Sequence, residues 1–280
     1  MTSPVRIGLR SVPAAAGLRW VRQGFRTFAR RPFGFVGLYL FVMSCLVLSM
    51  MLPPAISLAA IVLLPLLSLG FMIAAEDVLD DLPLRPTVFW SPLLANAPAR
   101  RALLAIGLVY LGGTLLLVYL ADSLDGGEAR HWLETILTPR TDGQMPELPP
   151  LSGRGTAVLL LKSFGMTLVS VPMWHAPALV NWGRQGALQA MFSSIVSVWR
   201  TRAALTVFGL GWSVVMLVFV LVIAVVAAIV GPIVTAPIAA IALVALTAVF
   251  YVSCWFGFVD TFEITSGTRP RAAKVDDPGA

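Results

Sequence analysis

The chain has 280 residues, of which 58% are hydrophobic and only 12% are charged. Soluble domains average about 45–50% apolar and about 25% charged residues, so this composition excludes an ordinary soluble protein and indicates a polytopic membrane protein. The formal net charge of +6 does not indicate a nucleic-acid partner. The basic residues cluster beside apolar runs, where they contact anionic lipids and set the orientation of the chain.

The N-terminal segment divides into a tail and a helix. Residues 1–16 contain scattered prolines, a glycine and a run of small residues, which predicts a flexible tail. Residues 17–31 separate by face at helical spacing, with apolar side chains on one side and arginines on the other. This pattern predicts an amphipathic helix in the membrane interface, either as an ordinary orienting anchor or as a specific lipid site. The predicted interfacial anchors in this helix are Arg19, Trp20, Arg22, Arg26 and Arg30.

Two apolar runs follow, residues 33–52 and 55–75, with two prolines between them. Each run has about the 20 residues needed to cross a hydrocarbon core of about 30 Å, and the short turn predicts that they cross in opposite directions. The first run is longer than the ~7–15 residues of a signal-peptide core, so we interpret it as a retained span. Pro65 predicts a break in the second span, or simply a site of helix packing.

A third span is predicted at residues 102–121. The segment before it, residues 76–101, has aromatic residues between prolines and is interpreted as a surface segment anchored at headgroup level. An external loop is predicted at residues 122–155, and within it residues 128–137 have the pattern of a short helix.

The fourth predicted span, residues 156–182, contains Lys162 and His175, and Pro172 and Pro177 bracket the histidine and predict a helix break. Ionisable residues inside a span are costly, so both are candidates for function. The lysine is near the outer end, where its stem can extend toward the headgroups. The histidine either bonds a backbone carbonyl freed by the prolines or relays a proton. The relay lacks a predicted intramembrane carboxylate as its partner.

A second amphipathic segment, GALQAMFSSIVSVWRTR, precedes the last two spans. It places large apolar side chains opposite three serines and ends at two further predicted anchors, Trp199 and Arg200. Spans five and six are predicted at residues 204–230 and 233–259, and residues 263–280 are predicted to be a disordered tail.

These elements predict an all-α fold with one membrane domain, residues 17–262, built from six transmembrane helices and two interfacial amphipathic helices. If the spans alternate in direction, sixteen of the twenty Lys and Arg residues lie on the same side as the termini, and the loops on the other side hold three. The positive-inside rule therefore predicts that both termini of this multi-pass protein are cytoplasmic.

The sequence offers few residues for chemistry. Cys45 and Cys254 are predicted to differ in depth by about 10 Å, beyond the reach of a disulfide, so both are interpreted as packing residues. His131 stands alone in the predicted external loop, without metal-ligand spacing. Hydrolase, zinc-protease and phosphate-loop motifs are missing. We therefore predict no catalytic residue, no metal, no cofactor and no enzymatic activity.

Several segments, taken in order, resemble a known family. They are the Arg-rich helix ending F-x-x-x-P, then LLPLLSLGFMIAAEDVLDD, YLG, PMWHAPALVNWG and GALQAMFSSIVSVWRTRAAL. This order resembles six-span inner-membrane proteins of Gram-negative bacteria, a family whose signatures carry no established activity. That family is distantly similar to the membrane domain fused to some glycerophosphodiester phosphodiesterases. The resemblance covers roughly residues 18–262 and leaves out the phosphodiesterase's catalytic domain. The chain departs from the family at residues 77–81, where a basic residue and a glycine are more usual.

Two functions remain open from the sequence. The first is a non-enzymatic protein that packs with membrane lipids, a partner membrane protein or a second copy of itself, in envelope maintenance or assembly. The second is a small permease or exporter whose path passes the Pro172–Pro177 break, which requires an aqueous cavity reaching His175 and Lys162. A third class, an enzyme acting on lipid headgroups, requires clustered acids or histidines, which the sequence does not show.

Overall fold

The computed structural model of the protein describes residues 6–137 and 150–265. Within these residues, six helical segments are long and apolar enough to cross a membrane, which confirms the predicted all-α, six-span architecture. The spans are Pro32–Met50 (α2), Pro54–Leu79 (α3), Ala97–Asp125 (α5), Gly153–Asn181 (α7 and α8), Arg202–Val230 (α10) and Pro232–Thr261 (α11). The shorter helices are Ala16–Arg30 (α1), Ser91–Ala95 (α4), Glu128–Leu137 (α6) and Ala187–Arg200 (α9).

Local sequence sets the ends of these helices. Helices α2, α3 and α11 each begin with a proline, which has no N–H to leave unsatisfied in the first turn. The Asn96 side chain accepts a hydrogen bond from the Ala99 N–H (2.8 Å) and caps α5, so this span begins five residues earlier than predicted. It ends at Gly126, whose φ of 66° is left-handed. The predicted external loop therefore begins after residue 125, and the short helix predicted at 128–137 is confirmed as α6.

The fourth span is discontinuous. Helix α7 (Gly153–Ser170) gives way to a 3₁₀ turn over Val171–Met173, and α8 (Ala176–Asn181) follows. The interruption lies where two prolines, five residues apart, remove backbone donors. Pro65, in contrast, lies inside α3, which continues through it to Leu79, so the expected break in the second span is wrong. A single proline removes one hydrogen bond, which a packed membrane helix tolerates.

Helix α1 is part of the bundle, packed between α10 and α11. Its buried face consists mainly of small residues, because a Cβ at Gly17 would collide with the backbone of Ala204, and a Cβ at Gly24 would lie 2.6 Å from the Ser253 Cβ. The amphipathic helix is confirmed, but the prediction that it lies on the membrane with its large apolar face in lipid is only partly right. Close backbone approach, rather than bulk hydrophobicity, decides which face is buried between membrane helices.

The chain termini are joined by a short antiparallel ladder. Strand β1 (Arg6–Leu9) pairs with β2 (Phe262–Thr265), with Ile7 opposite Ile264 and Leu9 opposite Phe262. The flexible tail predicted for residues 1–16 is therefore wrong from Arg6 onward, and the predicted disorder is wrong at residues 263–265. Residues 266–280 lie outside the described part of the chain. The ladder places both ends of the membrane domain on one side, as an even number of spans requires.

The loop between α3 and α5 does not stay at the surface. A 3₁₀ turn, Pro86–Phe89, packs against α3, and the Phe89 ring occupies the space that a side chain at Gly70 would fill. Val88 is buried, and the Phe89 ring is 5.7 Å from that of Phe71. Since Gly70 is nine residues from the end of α3, this segment enters the bundle to a depth of about 13 Å. The predicted headgroup-level segment is thus a wedge that packs into the core.

Candidate functional site

A serine of α9 forms hydrogen bonds with backbone groups on both sides of the break in the fourth span. Ser194 Oγ donates to the Val171 carbonyl (3.0 Å) and accepts from the His175 N–H (3.1 Å), and Ser194 is fully buried. The predicted serine face of α9 therefore packs against the broken span. Its hydroxyl supplies hydrogen bonds that the interrupted backbone lacks, which is necessary because no water reaches the interior of a bilayer. The sequence predicted the break but not its partner, which is 23 residues away from Val171.

His175 lies in an aromatic enclosure. Its side chain is 1% exposed, and its ring centroid is 5.4 Å from that of Phe262 and 5.9 Å from that of Phe258. Its Nδ1 atom has no hydrogen-bond partner in the described part of the chain, so the expected bond to a freed backbone carbonyl is not made by this atom. The ring fills the space beneath the β1–β2 ladder, where it acts as a packing group.

Lys162 has a carboxylate partner. Its Nζ is 2.6 Å from Asp122 Oδ1, and the two side chains are 18% and 24% exposed. The lysine was expected to extend alone toward the headgroups. The pair forms because α5 continues past the predicted end of the third span, so that residue 122 lies on a helix packed against α7. The sequence contains an indication of this ion pair, because Asp122 comes directly after the predicted third span.

A cavity of 230 Å³ lies beside the break, between α3, α5 and α11. It is lined by apolar side chains together with a few polar groups. The polar lining consists of Ser68, Tyr110, Ser170, Tyr251 and Cys254. Neither His175 nor Lys162 lines this cavity, so the two candidate ionisable residues are not brought together by it.

The predicted anchors of α1 have different environments. Asp260 Oδ2 accepts hydrogen bonds from Arg19 Nη2 (2.8 Å) and from Trp20 Nε1 (2.7 Å). Trp20 is 1% exposed and its ring packs in the core, so its prediction as an interfacial anchor is wrong. Its N–H hydrogen-bonds to Asp260 and links α1 to the end of α11. The remaining predicted anchors of this helix are exposed arginines, namely Arg22, Arg26 and Arg30.

Helix α9 presents its apolar face away from the protein. Four of its large apolar residues are 44–81% exposed, whereas Met191, Ser194 and Ser197 face inward and are buried. The exposed residues are Leu188, Phe192, Ile195 and Trp199. Arg200 is also exposed, and the Arg202 guanidinium carbon lies 5.0 Å above the Trp199 ring. This arrangement is that of a helix lying in the membrane interface, with its apolar side toward the acyl chains.

A second, larger cavity of 530 Å³ lies at the corner between α8 and α9 and the first turn of α5; we call it the corner cavity. Its polar lining consists of Asn96, Asn181, Arg184 and Gln185, and Gly186 contributes bare backbone. Gly183 packs against Ile7 of β1, which places the corner on the same side of the membrane as the termini. The sequence did not single out these residues, because Arg184, Gln185 and Gly186 lie in the five-residue connection 182–186, which has an ordinary composition, and the two asparagines lie at helix ends far apart in the chain.

In the part of the chain that the structure describes, no three His, Cys, Asp or Glu side chains group as metal ligands. The two cysteines are free, with Cys45 exposed and Cys254 buried, which confirms that they form no disulfide. On the side opposite the termini, Glu128 accepts from the Ser152 hydroxyl and from its N–H (2.7 Å). These hydrogen bonds hold the pKa of Glu128 below its ordinary value.

The six apolar helices, the interface-lying α9 and the internally paired polar groups define a multi-pass helical integral membrane protein. The chain is similar to a probable inner membrane protein of Burkholderia thailandensis, with 26% identity over 278 residues that cover 96% of this chain and 99% of that protein. No family model and no solved structure matches the chain. The predicted location, the inner membrane, is confirmed, and the likeness to phosphodiesterase membrane domains stays a prediction.

Proposed function

We propose that this inner-membrane protein acts without catalysis, by packing with lipids or partner membrane proteins in envelope maintenance or assembly, with both termini in the cytoplasm. The observation that carries the proposal is the outward apolar face of α9, where Phe192 and Trp199 are 68% and 70% exposed. A helix that buries its serines and exposes its aromatic residues is built to contact acyl chains or an apolar partner. The lysine and arginine count supports the orientation.

The polar groups inside the spans support the same function. His175 is enclosed by aromatic rings, and Lys162 is paired with Asp122. A transport path or a proton relay requires ionisable groups that water or substrate can reach. Here these groups pack and pair within the bundle. The outer surface of the protein is therefore the part that contacts lipids or partner proteins.

The alternative function, a small permease or exporter, is favoured by one observation. The 230 Å³ cavity touches the helix break at Ser170 and Trp174, and transporters often place substrate sites at such interruptions. The path first expected through His175 and Lys162 is not supported, because neither residue lines this cavity.

Complementation of a deletion strain tests the first proposal. We expect the deletion to increase leakage of a periplasmic enzyme or entry of a large antibiotic, and the wild-type gene to restore the barrier. The double variant Phe192→Ser with Trp199→Ser should fail to restore it at equal membrane levels. The control, Leu210→Ser with Val214→Ser, changes two similarly exposed residues of α10 and should restore it. An unchanged envelope in the deletion strain would refute the proposal.

Cysteine labelling in oriented vesicles separates the two functions. Both native cysteines are first replaced by alanine, and single cysteines are placed at positions 162, 170 and 175. We expect a small polar reagent to leave positions 170 and 175 unlabelled while it labels a control cysteine at the exposed position 130. Labelling at position 170, which lines the 230 Å³ cavity, would establish an aqueous path at the break, and the permease would replace the packing protein.

A further inference from the structure

The corner cavity lies at the depth of lipid headgroups. It is bounded by the first turn of α5, where one span begins at Ala97, and by the last turn of α8, where another ends at Asn181. The ends of transmembrane helices lie at the boundary between hydrocarbon and headgroups. Its volume of 530 Å³ is within the range of about 300–1,000 Å³ that is usual for small-molecule sites. A site of this size, in this layer, is accessible to a phospholipid from the adjacent leaflet.

The charge around the cavity favours an anion. Arg184 is the one charged residue among those that line it. None of the described residues lining the cavity is acidic. In the part of the chain that the structure describes, Arg184 forms no ion pair within the protein. Arginine binds phosphate oxygens through parallel N–H bonds, so the unpaired guanidinium group of Arg184 suits a phosphate.

Three further features of residues 184–186 support a binding site at this corner. Arg184 has a φ of 51°, a left-handed conformation that a non-glycine residue adopts only where surrounding structure holds it. The Oε1 of Gln185 is buried without a hydrogen-bond partner among the described residues, and because an amide oxygen only accepts, it suits a donor such as an ammonium group and not a phosphate oxygen. At Gly186, which begins α9, no side chain caps the first turn, and a Cβ would meet only open space. Residues 185 and 186 therefore place unpaired hydrogen-bonding groups next to the positive charge of Arg184.

From these observations we propose that the corner cavity binds the phosphodiester headgroup of a membrane phospholipid, with Arg184 contacting the phosphate. The inference rests on the proposed packing function and names the lipid chemistry it uses. The open first turn of α9 provides N–H donors to the phosphate, and the Oε1 of Gln185 accepts from a donor elsewhere on the headgroup. The apolar face of α9 lies next to the acyl chains of the same lipid. Inorganic phosphate shares the phosphate chemistry, and the experiment below separates the two sources.

The test uses full-length protein in detergent micelles that contain equal amounts of phosphatidylethanolamine and of diacylglycerol with the same acyl chains. Native mass spectrometry measures how many molecules of each the protein retains. We expect retained phospholipid to exceed diacylglycerol at least tenfold in the wild type. Arg184→Gly should abolish most of this preference, and it also relieves the left-handed backbone, so the fold is not the cause of the loss. Gly186→Leu keeps the arginine but fills the cavity, and it should have the same effect.

Arg154→Gln changes an exposed arginine at the start of α7, on the side of the membrane opposite the corner cavity, and is the control that should keep the wild-type preference. Equal retention of the two lipids, or a wild-type preference in Arg184→Gly, would overturn the proposal. Displacement of the phospholipid by millimolar inorganic phosphate would overturn the lipid assignment in favour of free phosphate. An intact envelope in the deletion strain would refute the packing function whatever the lipid result. A leaking deletion strain without headgroup preference would refute only the corner site.

Discussion

Replacing Ser194 by alanine should destabilise the bundle through the break in the fourth span. The variant removes the acceptor of the His175 N–H and one donor to the Val171 carbonyl. That carbonyl keeps the Trp174 N–H as a partner (3.3 Å), so the main cost is one buried N–H left unsatisfied. Such a group costs about 1–3 kcal/mol. Alanine recovers up to about 0.5 kcal/mol of helix propensity, which leaves an expected net loss of about 1.5 kcal/mol.

The free energy of unfolding is measured by titrating purified protein from mild detergent into dodecyl sulfate and following tryptophan fluorescence. Ser193→Ala is the control, because the residue is adjacent on the same helix, only half-buried, and changes helix propensity equally. We expect Ser193→Ala to unfold like the wild type or slightly later. If both variants unfold together, the serine bridge does not stabilise the break, and our account of the discontinuous span is wrong.

Three further predictions concern other contacts. Gly107→Ala should lower the unfolding free energy by about 1–3 kcal/mol, because its Cβ would meet the α3 backbone, whereas Gly112→Ala on the same helix meets nothing and should be neutral or stabilising. Asp260→Asn should speed proteolysis of α1 more than Glu263→Gln, whose ion pair is exposed by half. The bond from Glu128 to the start of α7 should persist above pH 4.5 and weaken as the pH falls through its lowered pKa, which a fall in the amide protection factors at the start of α7, relative to unfolded-chain exchange at the same pH, would detect.

Each of these has a clear contrary result. Equal effects of the two glycine variants would mean that α3 and α5 are not in close contact. Equal proteolysis of the Asp260 and Glu263 variants would mean that α1 is held by packing alone. For the third prediction, Glu128→Gln is the control: its protection factors at the start of α7 should not change with pH in this range, and a retained change would assign the effect to another group.

The spans could be predicted because the bilayer acts as a solvent of fixed thickness. Any apolar run of about 20 residues must be a helix there, since no water satisfies its backbone. The predicted runs 33–52 and 204–230 accordingly match α2 and α10 to within two residues at each end. The outward apolar face of α9 follows from the same rule, because apolar side chains face the lipid when serines face the protein.

Contacts between distant segments could not be predicted in this way. The apolar face of α1 indicated a membrane-lying helix, but the glycines of its other face allow closer approach to α10 and α11. The pairing of Lys162 with Asp122 joins positions 40 residues apart, and it depends on how far α5 extends beyond the apolar run. Strands β1 and β2 have four residues each, too few for a periodic signal, and each is stabilised only by its partner.

The packing of α1 has a consequence for synthesis at the ribosome. The first helix to emerge finds its neighbours, α10 and α11, only after more than two hundred residues have been made, and the β1–β2 ladder forms later still. Until then Trp20 lacks the Asp260 carboxylate that accepts its N–H. Chains interrupted before the last span keep α1 without α11 and without the β1–β2 ladder. The pairing of residues 6–9 with residues 262–265 therefore forms only after all six spans have been made.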